Sequence, residues 1–251
     1  MQKTMIDAIA RELTSAERVL FITGAGISAD SGLPTYRGTG GLYNGRPTDD
    51  GMSIEQALSG PVFRSHPEIT WKYLAQIEET CRGALPNAAH LAIAELEQRL
   101  PYVLTLTQNV DGLHRQAGSV ELIEIHGGLH ELYCPCCGFS EHAPTLAGRP
   151  LPPPCPACGA ILRPDVVLFN EHLPEEAIER LDEALDAGFD LVITIGTSAT
   201  FPYIVQPVVM ALQAGVPTVE INPVRTQLSE HVDFHLPMGA AAAMSAILAH
   251  L

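Results

Sequence analysis

The sequence predicts an α/β fold: a Rossmann-like parallel sheet with helices on both faces, plus a small domain containing a four-Cys zinc ribbon and a helical segment. Three observations predict it. Short apolar runs bounded by turn residues ("VLFITGAG", "YVLTLT", "VELIEIHG", "DLVITIG", "TVEIN") alternate with helical patterns, as in a parallel sheet covered on both sides. A glycine-rich turn, "GAGISA", follows the first run directly. One stretch, "LHELYCPCCGFSEHAPTLAGRPLPPPCPACGAILRP", breaks the alternation with Cys, Pro and Gly and reads as an insertion.

In chain order, Met5 to Leu13 carries apolar residues at helical spacing, and Val19 onward forms a buried strand running into the glycine turn. Gly38 to Ser53 is polar, glycine-rich and too irregular for a regular element. Helical patterns return at Ser53 to Leu58, in "PEITWKYLAQIEETC" through Cys81, and at Asn87 to Leu100. "PEEAIERLDEALDAG" and the closing "AAAAMSAILAHL" supply further helices. The chain has 251 residues and a net charge of -15, with 29 acidic against 14 basic residues. Such a field repels phosphate backbones, so no direct nucleic-acid partner is expected, while basic peptides are steered in. The first residues show no basic segment leading into an apolar run, and no stretch is apolar enough to span a bilayer, so a cytoplasmic protein without a membrane partner is expected.

Of six cysteines, four form Cys134-x-x-Cys137 and Cys155-x-x-Cys158 with 17 residues between the pairs. This is four-thiolate zinc spacing, each knuckle letting two sulfurs reach one tetrahedral ion. Gly138 and Gly159 follow the knuckles and suit their tight turns. Four thiolates leave no open coordination position, so the zinc is expected to be structural. Cys136 does not keep the two-residue spacing and reads as a bystander; Cys81 reads as a buried apolar residue of a helix.

Gly24-x-Gly26-x-x-Ala29 fits a dinucleotide fingerprint, with the first glycine for the turn, the second for approach of the pyrophosphate and a small third residue for helix packing. A hydride-transfer enzyme would next show a second strand ending in an acidic ribose ligand. Here "PTYRGTGGLYNGRPTDDG" intervenes, and Asp49 and Asp50 have no strand before them. A plain dehydrogenase is disfavoured.

"TQNVDGLHRQAG" and "IEIHGG" each follow an apolar run and would open at the carboxyl edge of the sheet. With "GAGISADSGLPTYRG", the two C-x-x-C pairs, "RPDVVLFNE", "GTS" and "INP", in that order, the chain resembles the sirtuins, the NAD-dependent protein-lysine deacylases, from about Val19 onward. The resemblance implies NAD as a consumed co-substrate and acetylated lysine-containing proteins or peptides as partners. It implies that the acyl oxygen attacks C1' of the nicotinamide ribose, that nicotinamide leaves, and that His126 acts as general base on a ribose hydroxyl, a role suited to imidazole. Asn109 matches the residue that orients ribose and water, Gln108 accompanies it, and Asp111 matches the carboxylate at the nicotinamide carboxamide. Gly24, Ala25, Gly26 and Ser28 match the first phosphate turn, Tyr36 the residue over the nicotinamide site, and Arg37 a cofactor contact. Gly196, Thr197 and Ser198 match the second phosphate turn, Asn222 the adenosine ribose contact, and Val166, Phe169, Asn170 and Glu171 the segment that pairs with substrate peptide. The domains implied are 1–37, 82–129 and 163–251 for NAD binding, 38–81 for the helical part of the small domain and 130–162 for the zinc ribbon.

The chain departs from the family pattern in four places. Tyr36 replaces the usual phenylalanine, Asn170 a glycine and Leu168 a tryptophan, and Pro202 comes one residue early after "GTS". Asn tolerates left-handed backbone angles, so the turn at 170 is expected to survive. Sirtuins selective for succinyl or malonyl lysine carry a Tyr-x-x-Arg pair, whereas here Tyr73 is followed at that spacing by Gln76, and Arg82 lies too far along. Neutral acyl groups, acetyl first, are therefore expected. The rivals are a mono-ADP-ribosyltransferase or NAD hydrolase using the same pocket and, from another class, a non-catalytic NAD-sensing or zinc-ribbon binding module.

Overall fold

A computed structural model describes residues 2–35 and 47–251. Six parallel strands form the large sheet: β1 (Arg18–Thr23), β2 (Tyr102–Thr107), β3 (Leu122–Glu124), β7 (Leu191–Ile195), β8 (Thr218–Ile221) and β9 (Phe234–Leu236). Their order is β3-β2-β1-β7-β8-β9. The chain therefore leaves β1 toward one edge and returns from β7 toward the other, which opens a crevice at the carboxyl ends of β1 and β7.

Alternation within each strand explains the two covered faces. Val19 and Phe21 of β1 and Ile193 of β7 point to one side with Val103 of β2. There they meet α1 (Gln2–Ser15), α5 (Ala88–Arg99) and α9 (Ala240–Leu248) through Ile9, Leu13, Ile93, Leu96 and Met244. Leu20, Ile22, Leu104 and Val192 point to the other, against Leu181 of α7 (Glu175–Asp186) and Ile204 and Val208 of α8 (Pro202–Ala214). These side chains are essentially inaccessible, and each contributes about 1.5–3 kcal/mol on burial.

The glycine turn differs from its sequence reading in two respects. An α-helix does not follow Gly24; a 3-10 helix, Ala25–Ser31, does, ending at Gly32 in left-handed conformation. Gly26 lies against backbone and not only against open space: a Cβ there would stand 2.6 Å from Gly196 Cα, and one on Gly196 would stand 2.4 Å from the Gly26 carbonyl carbon. The Gly26 amide donates to the Gly196 carbonyl at 2.8 Å. The two phosphate-type turns thus interlock, and each glycine is required by the other.

The second layer is a three-stranded antiparallel sheet, β5-β4-β6, of β4 (Gly127–Tyr133), β5 (Ser140–His142) and β6 (Arg163–Val166). It shares a core with α2 (Ile54–Ala57), α3 (Gly60–Ser65) and α4 (Pro67–Cys81). Trp71 of α4 is fully buried there, and its indole N–H donates to the Leu162 carbonyl at 3.0 Å. Because β4 and β6 pair with each other, the chain enters and leaves the cysteine-rich insertion through adjacent strands. Asp50 accepts from the Tyr73 hydroxyl at 2.5 Å and from Lys72 at 2.9 Å, which occupies it far from any ribose role. Among the described residues no helix is long and apolar enough to cross a membrane.

Candidate active site and metal centre

The carboxyl ends of β1, β2, β3, β7 and β8 gather most of the residues singled out from the sequence. Gln108 donates through its side-chain amide to the Thr23 carbonyl (3.3 Å) and to Thr197 Oγ1 (2.9 Å), tying the end of β2 to the turns after β1 and β7. Asn222, after β8, donates to the Thr197 carbonyl at 3.0 Å. Ser198 is exposed and shares a hydroxyl contact with Thr200 at 2.9 Å. Tyr36 and Arg37 lie outside the described residues.

Beneath the glycine turn, Asn109 Nδ2 donates to the Gly24 carbonyl and to Ser28 Oγ, both at 3.2 Å. Ser28 in turn donates to Asp111 Oδ2 at 2.7 Å, and Asp111 Oδ1 accepts the Leu113 amide at 3.0 Å. Burial pushes the Asp111 carboxyl up, while these hydrogen bonds work against it. A cavity joins Ala25, Ser28, Leu33, Pro34, Asn109 and Asp111 to Ile77, Thr80 and Cys81 in the last turn of α4. Cys81, read as a buried apolar residue, is half-buried and borders this cavity; burial drives its thiol up to about 12, so it stays protonated.

Two histidines under the site were not singled out in the sequence. His90 accepts the Asn87 amide at Nδ1 (3.3 Å), which leaves Nε2–H toward Ser28 Oγ at 3.5 Å. Thr23 gives its own hydroxyl proton to Thr107 at 2.8 Å, so His114 Nε2–H must be the donor in its 2.9 Å contact with Thr23. The rings meet edge to face at 4.8 Å. Burial lowers His90 to about 4 and His114 to about 3, so both are neutral supports. Only the placement of "NAAH" at a helix start and of "GLHRQ" just past a strand could have signalled them.

His126 stands at the end of the β3 segment, immediately before β4. Its Nδ1 lies 3.0 Å from the Gln108 carbonyl, an acceptor, so Nδ1 carries the proton and Nε2 holds the lone pair. Nε2 accepts from the Tyr203 hydroxyl at 2.7 Å. Burial lowers the pKa of His126, against the raising effect of the Gln108 carbonyl, and leaves the ring neutral near pH 7. This is the state a general base requires.

Beside it, Val166 pairs with Gly127, and the Val167 amide donates to the His126 carbonyl at 2.9 Å. Phe169 is held on both sides by the α2–α3 connection: its amide donates to Leu58 (2.9 Å) and its carbonyl accepts from Gly60 (3.0 Å). Glu171 takes a two-pronged contact from Arg163, both arms at 2.9 Å, and accepts the Leu168 amide at 3.0 Å. Burial opposes its ionisation, but Arg163 and that amide outweigh it and hold the carboxyl below the usual range. Much of this segment's backbone is thus already engaged within the chain, beside His126. Asn170 has φ 64°, the left-handed angle that the Asn-for-Gly exchange required. Asn170→Gly is expected to leave stability about unchanged and Asn170→Ala to lower it by about 1 kcal/mol, as read by denaturant unfolding.

The four knuckle cysteines converge. Their sulfurs all lie within 4.8 Å of one another. Cys134 and Cys158 are 3.5 Å apart and Cys137 and Cys155 3.6 Å. Sulfurs bound tetrahedrally at about 2.3 Å from one ion sit about 3.8 Å apart, so the set fits zinc. The Gly138 and Gly159 amides fold back on the Cys134 and Cys155 carbonyls at 3.2 and 2.9 Å, closing each knuckle with the glycines at φ 73° and 76°. Cys136 is exposed and stands outside the cluster.

Comparison with known proteins places these features in a family. A model described as the Sir2 family matches residues 24–202. A Pseudomonas aeruginosa protein named NAD-dependent protein deacylase 2 is 54% identical over 98% of this chain and 97% of its own length. Its namesake from Pseudomonas syringae pv. tomato is 53% identical over 96% and 98%. Among solved structures, a Sir2 homolog–NAD complex superposes with a TM-score of 0.86 at 34% identity, covering 97% of this chain and 92% of that one. A Sir2 complex with a deacetylated p53 peptide and 3'-O-acetyl ADP-ribose superposes at 0.87 with 26% identity, covering 97% of each chain.

Proposed function

The chain belongs to the Sir2 family, and from that premise we infer that it is an NAD-dependent protein-lysine deacylase in which His126 is the base. The observation that carries the assignment of the base is the neutral His126 imidazole, fixed at Nδ1 by the Gln108 carbonyl and offering Nε2 as sole acceptor, at the sheet edge where the two interlocked glycine turns meet.

When bound there, NAD supplies a ribose C1' made electrophilic by its bond to nicotinamide. The two glycine turns offer backbone amides for its phosphates, with Asn222 toward the adenosine side. Asn109 and Asp111, held through Ser28, place an amide and a carboxylate in the cavity beneath the turn; the carboxylate can accept the N–H groups of a carboxamide. His126 takes the proton of a ribose hydroxyl at Nε2. The segment of Val166, Phe169, Asn170 and Glu171, beside His126, is proposed to border the acyl-lysine peptide, with Phe169 and Glu171 shaping that border from their contacts with Leu58, Gly60 and Arg163. The four cysteines hold a structural zinc that takes no part in these steps.

Acetyl is the proposed acyl group. Tyr73 is turned to Asp50, and Arg82 is held by Glu78 through Nε at 3.2 Å and a second, shorter contact, so neither is free to receive an acyl carboxylate. A cytoplasmic location is proposed from the sequence. Mass spectrometry on paired acetyl- and succinyl-lysine peptides checks the assignment. Nicotinamide and O-acetyl-ADP-ribose should appear with deacetylation at least about tenfold faster than desuccinylation, since a missing bidentate arginine forfeits more than 1.4 kcal/mol. ADP-ribosylated protein in place of the acyl product would favour transfer to protein instead, and faster desuccinylation would sink the neutral-acyl reading.

A further inference from the structure

The early Pro202 has a structural consequence. It stands at the first position of α8 and puts Tyr203 in the first helical turn. There the Tyr203 hydroxyl reaches His126 Nε2 at 2.7 Å, while the Tyr203 ring stacks on Phe201 with centroids 5.4 Å apart and planes 10° from parallel. The imidazole meets both rings edge-on, each at 5.9 Å.

Two further observations show that this placement is built. Ala199, in the loop leading to Phe201, is fully buried at φ 51°, a left-handed angle that is unfavourable for a non-glycine residue. It is pinned there by its amide donating to Thr197 Oγ1 at 3.1 Å and by Gln227 donating to its carbonyl. Gln108 grips both ends of the arrangement, since its carbonyl holds His126 and its side chain holds Thr197 at the base of the loop.

An imidazole nitrogen has one in-plane lone pair, and Nδ1 is committed to the Gln108 carbonyl. Any hydroxyl that gives a proton to His126 must therefore do so at the position Tyr203 occupies. We propose that the Tyr203 hydroxyl and the ribose hydroxyl are alternative donors to the one Nε2 lone pair of His126, so that binding of the cofactor displaces Tyr203 from it. The inference rests on His126 being the base.

The test is Tyr203→Phe, which keeps the ring stacked on Phe201 and removes only the hydroxyl. Titration calorimetry with ADP-ribose alone reads the exchange without turnover. The variant is expected to bind about three- to fivefold tighter, because the Tyr203–His126 hydrogen bond no longer has to break. KM for NAD should fall by a similar factor with kcat within about twofold, a split that a packing role does not produce. Unchanged or weaker ADP-ribose binding overturns the proposal, whether or not the melting temperature also drops. The His126→Ala variant separates the two readings. If it abolishes formation of O-acetyl-ADP-ribose while Tyr203→Phe binds as the parent does, the base stands and the Tyr203 inference falls; if it leaves that product forming at the parent rate, the base itself is misassigned.

Discussion

His126→Ala is expected to lower kcat/KM for deacetylation of an acetyl-lysine peptide by about 10²–10⁴-fold, the contribution of a positioned general base. The loss should fall on chemistry and not on folding. Among the described residues the imidazole meets the Gln108 carbonyl, the Tyr203 hydroxyl and, edge-on, the Phe201 and Tyr203 rings at the margin of one core, and it is itself part of neither core of the large sheet. Melting temperature and ADP-ribose binding should therefore stay near the parent values while deacetylation falls. The pH profile gives a second reading with a definite sign. A base works deprotonated, so activity is present above its pKa and is lost as pH falls through it. Burial places the His126 pKa below the ordinary value of about 6.5, and the acidic limb of kcat/KM should accordingly lie below pH 6.5 and vanish in the alanine variant. An acidic limb that survives the substitution, with deacetylation within tenfold of the parent, would assign the proton transfer to another group.

The parts of the fold that could be read from sequence are those whose cause is local. Helix α4 spans Pro67–Cys81, the stretch its periodicity marks out, because Pro67 can open a helix at its first turn and apolar residues recur at helical spacing up to Cys81. Asn87 caps α5 by accepting the Ala89 amide at 2.9 Å, a start signal carried by one side chain. The zinc cluster was equally legible, since two knuckles specify four ligands without any knowledge of the surrounding fold. What could not be read depends on partners distant in the chain. Strand β9 has three residues, too few for a period, and exists because it pairs with β8. Gly26 owes its lack of a side chain to Gly196 as much as to any ligand, and nothing in either segment alone discloses the other. The sequence marks Phe169 by its motif alone, and that its amide and carbonyl are taken by Leu58 and Gly60 depends on neighbours that only the packed structure supplies. The sequence shows the one-residue shift of Pro202, but that the shift brings the Tyr203 hydroxyl to His126 is a matter of three-dimensional placement.

Removing the metal is expected to unfold the small layer and leave the large sheet standing. Structural zinc contributes about 10–16 kcal/mol in isolated zinc-finger peptides, more than a three-stranded sheet of this size can gain from its own apolar contacts. Here Cys134 and Cys155 are themselves buried in the core that Trp71, Leu74, Leu129, Leu132 and Leu162 share, so releasing the ion loosens that core as well as the knuckles. The protein carries its own reporter. Trp71 is the sole tryptophan, fully buried and hydrogen-bonded to the Leu162 carbonyl, within the cluster that holds both buried cysteines. Chelation, or Cys134→Ser, should shift its emission to the red as water reaches the indole, and should abolish deacetylation because β6 and the Val166–Glu171 segment are anchored to β4 in the same layer. Far-ultraviolet dichroism should fall only in part, since α1, α5 and α9 pack on a separate core. Elemental analysis of the purified chain should find one zinc per molecule. A folded protein without stoichiometric metal, or a tryptophan spectrum indifferent to chelation, would remove zinc as the tie that holds this layer together.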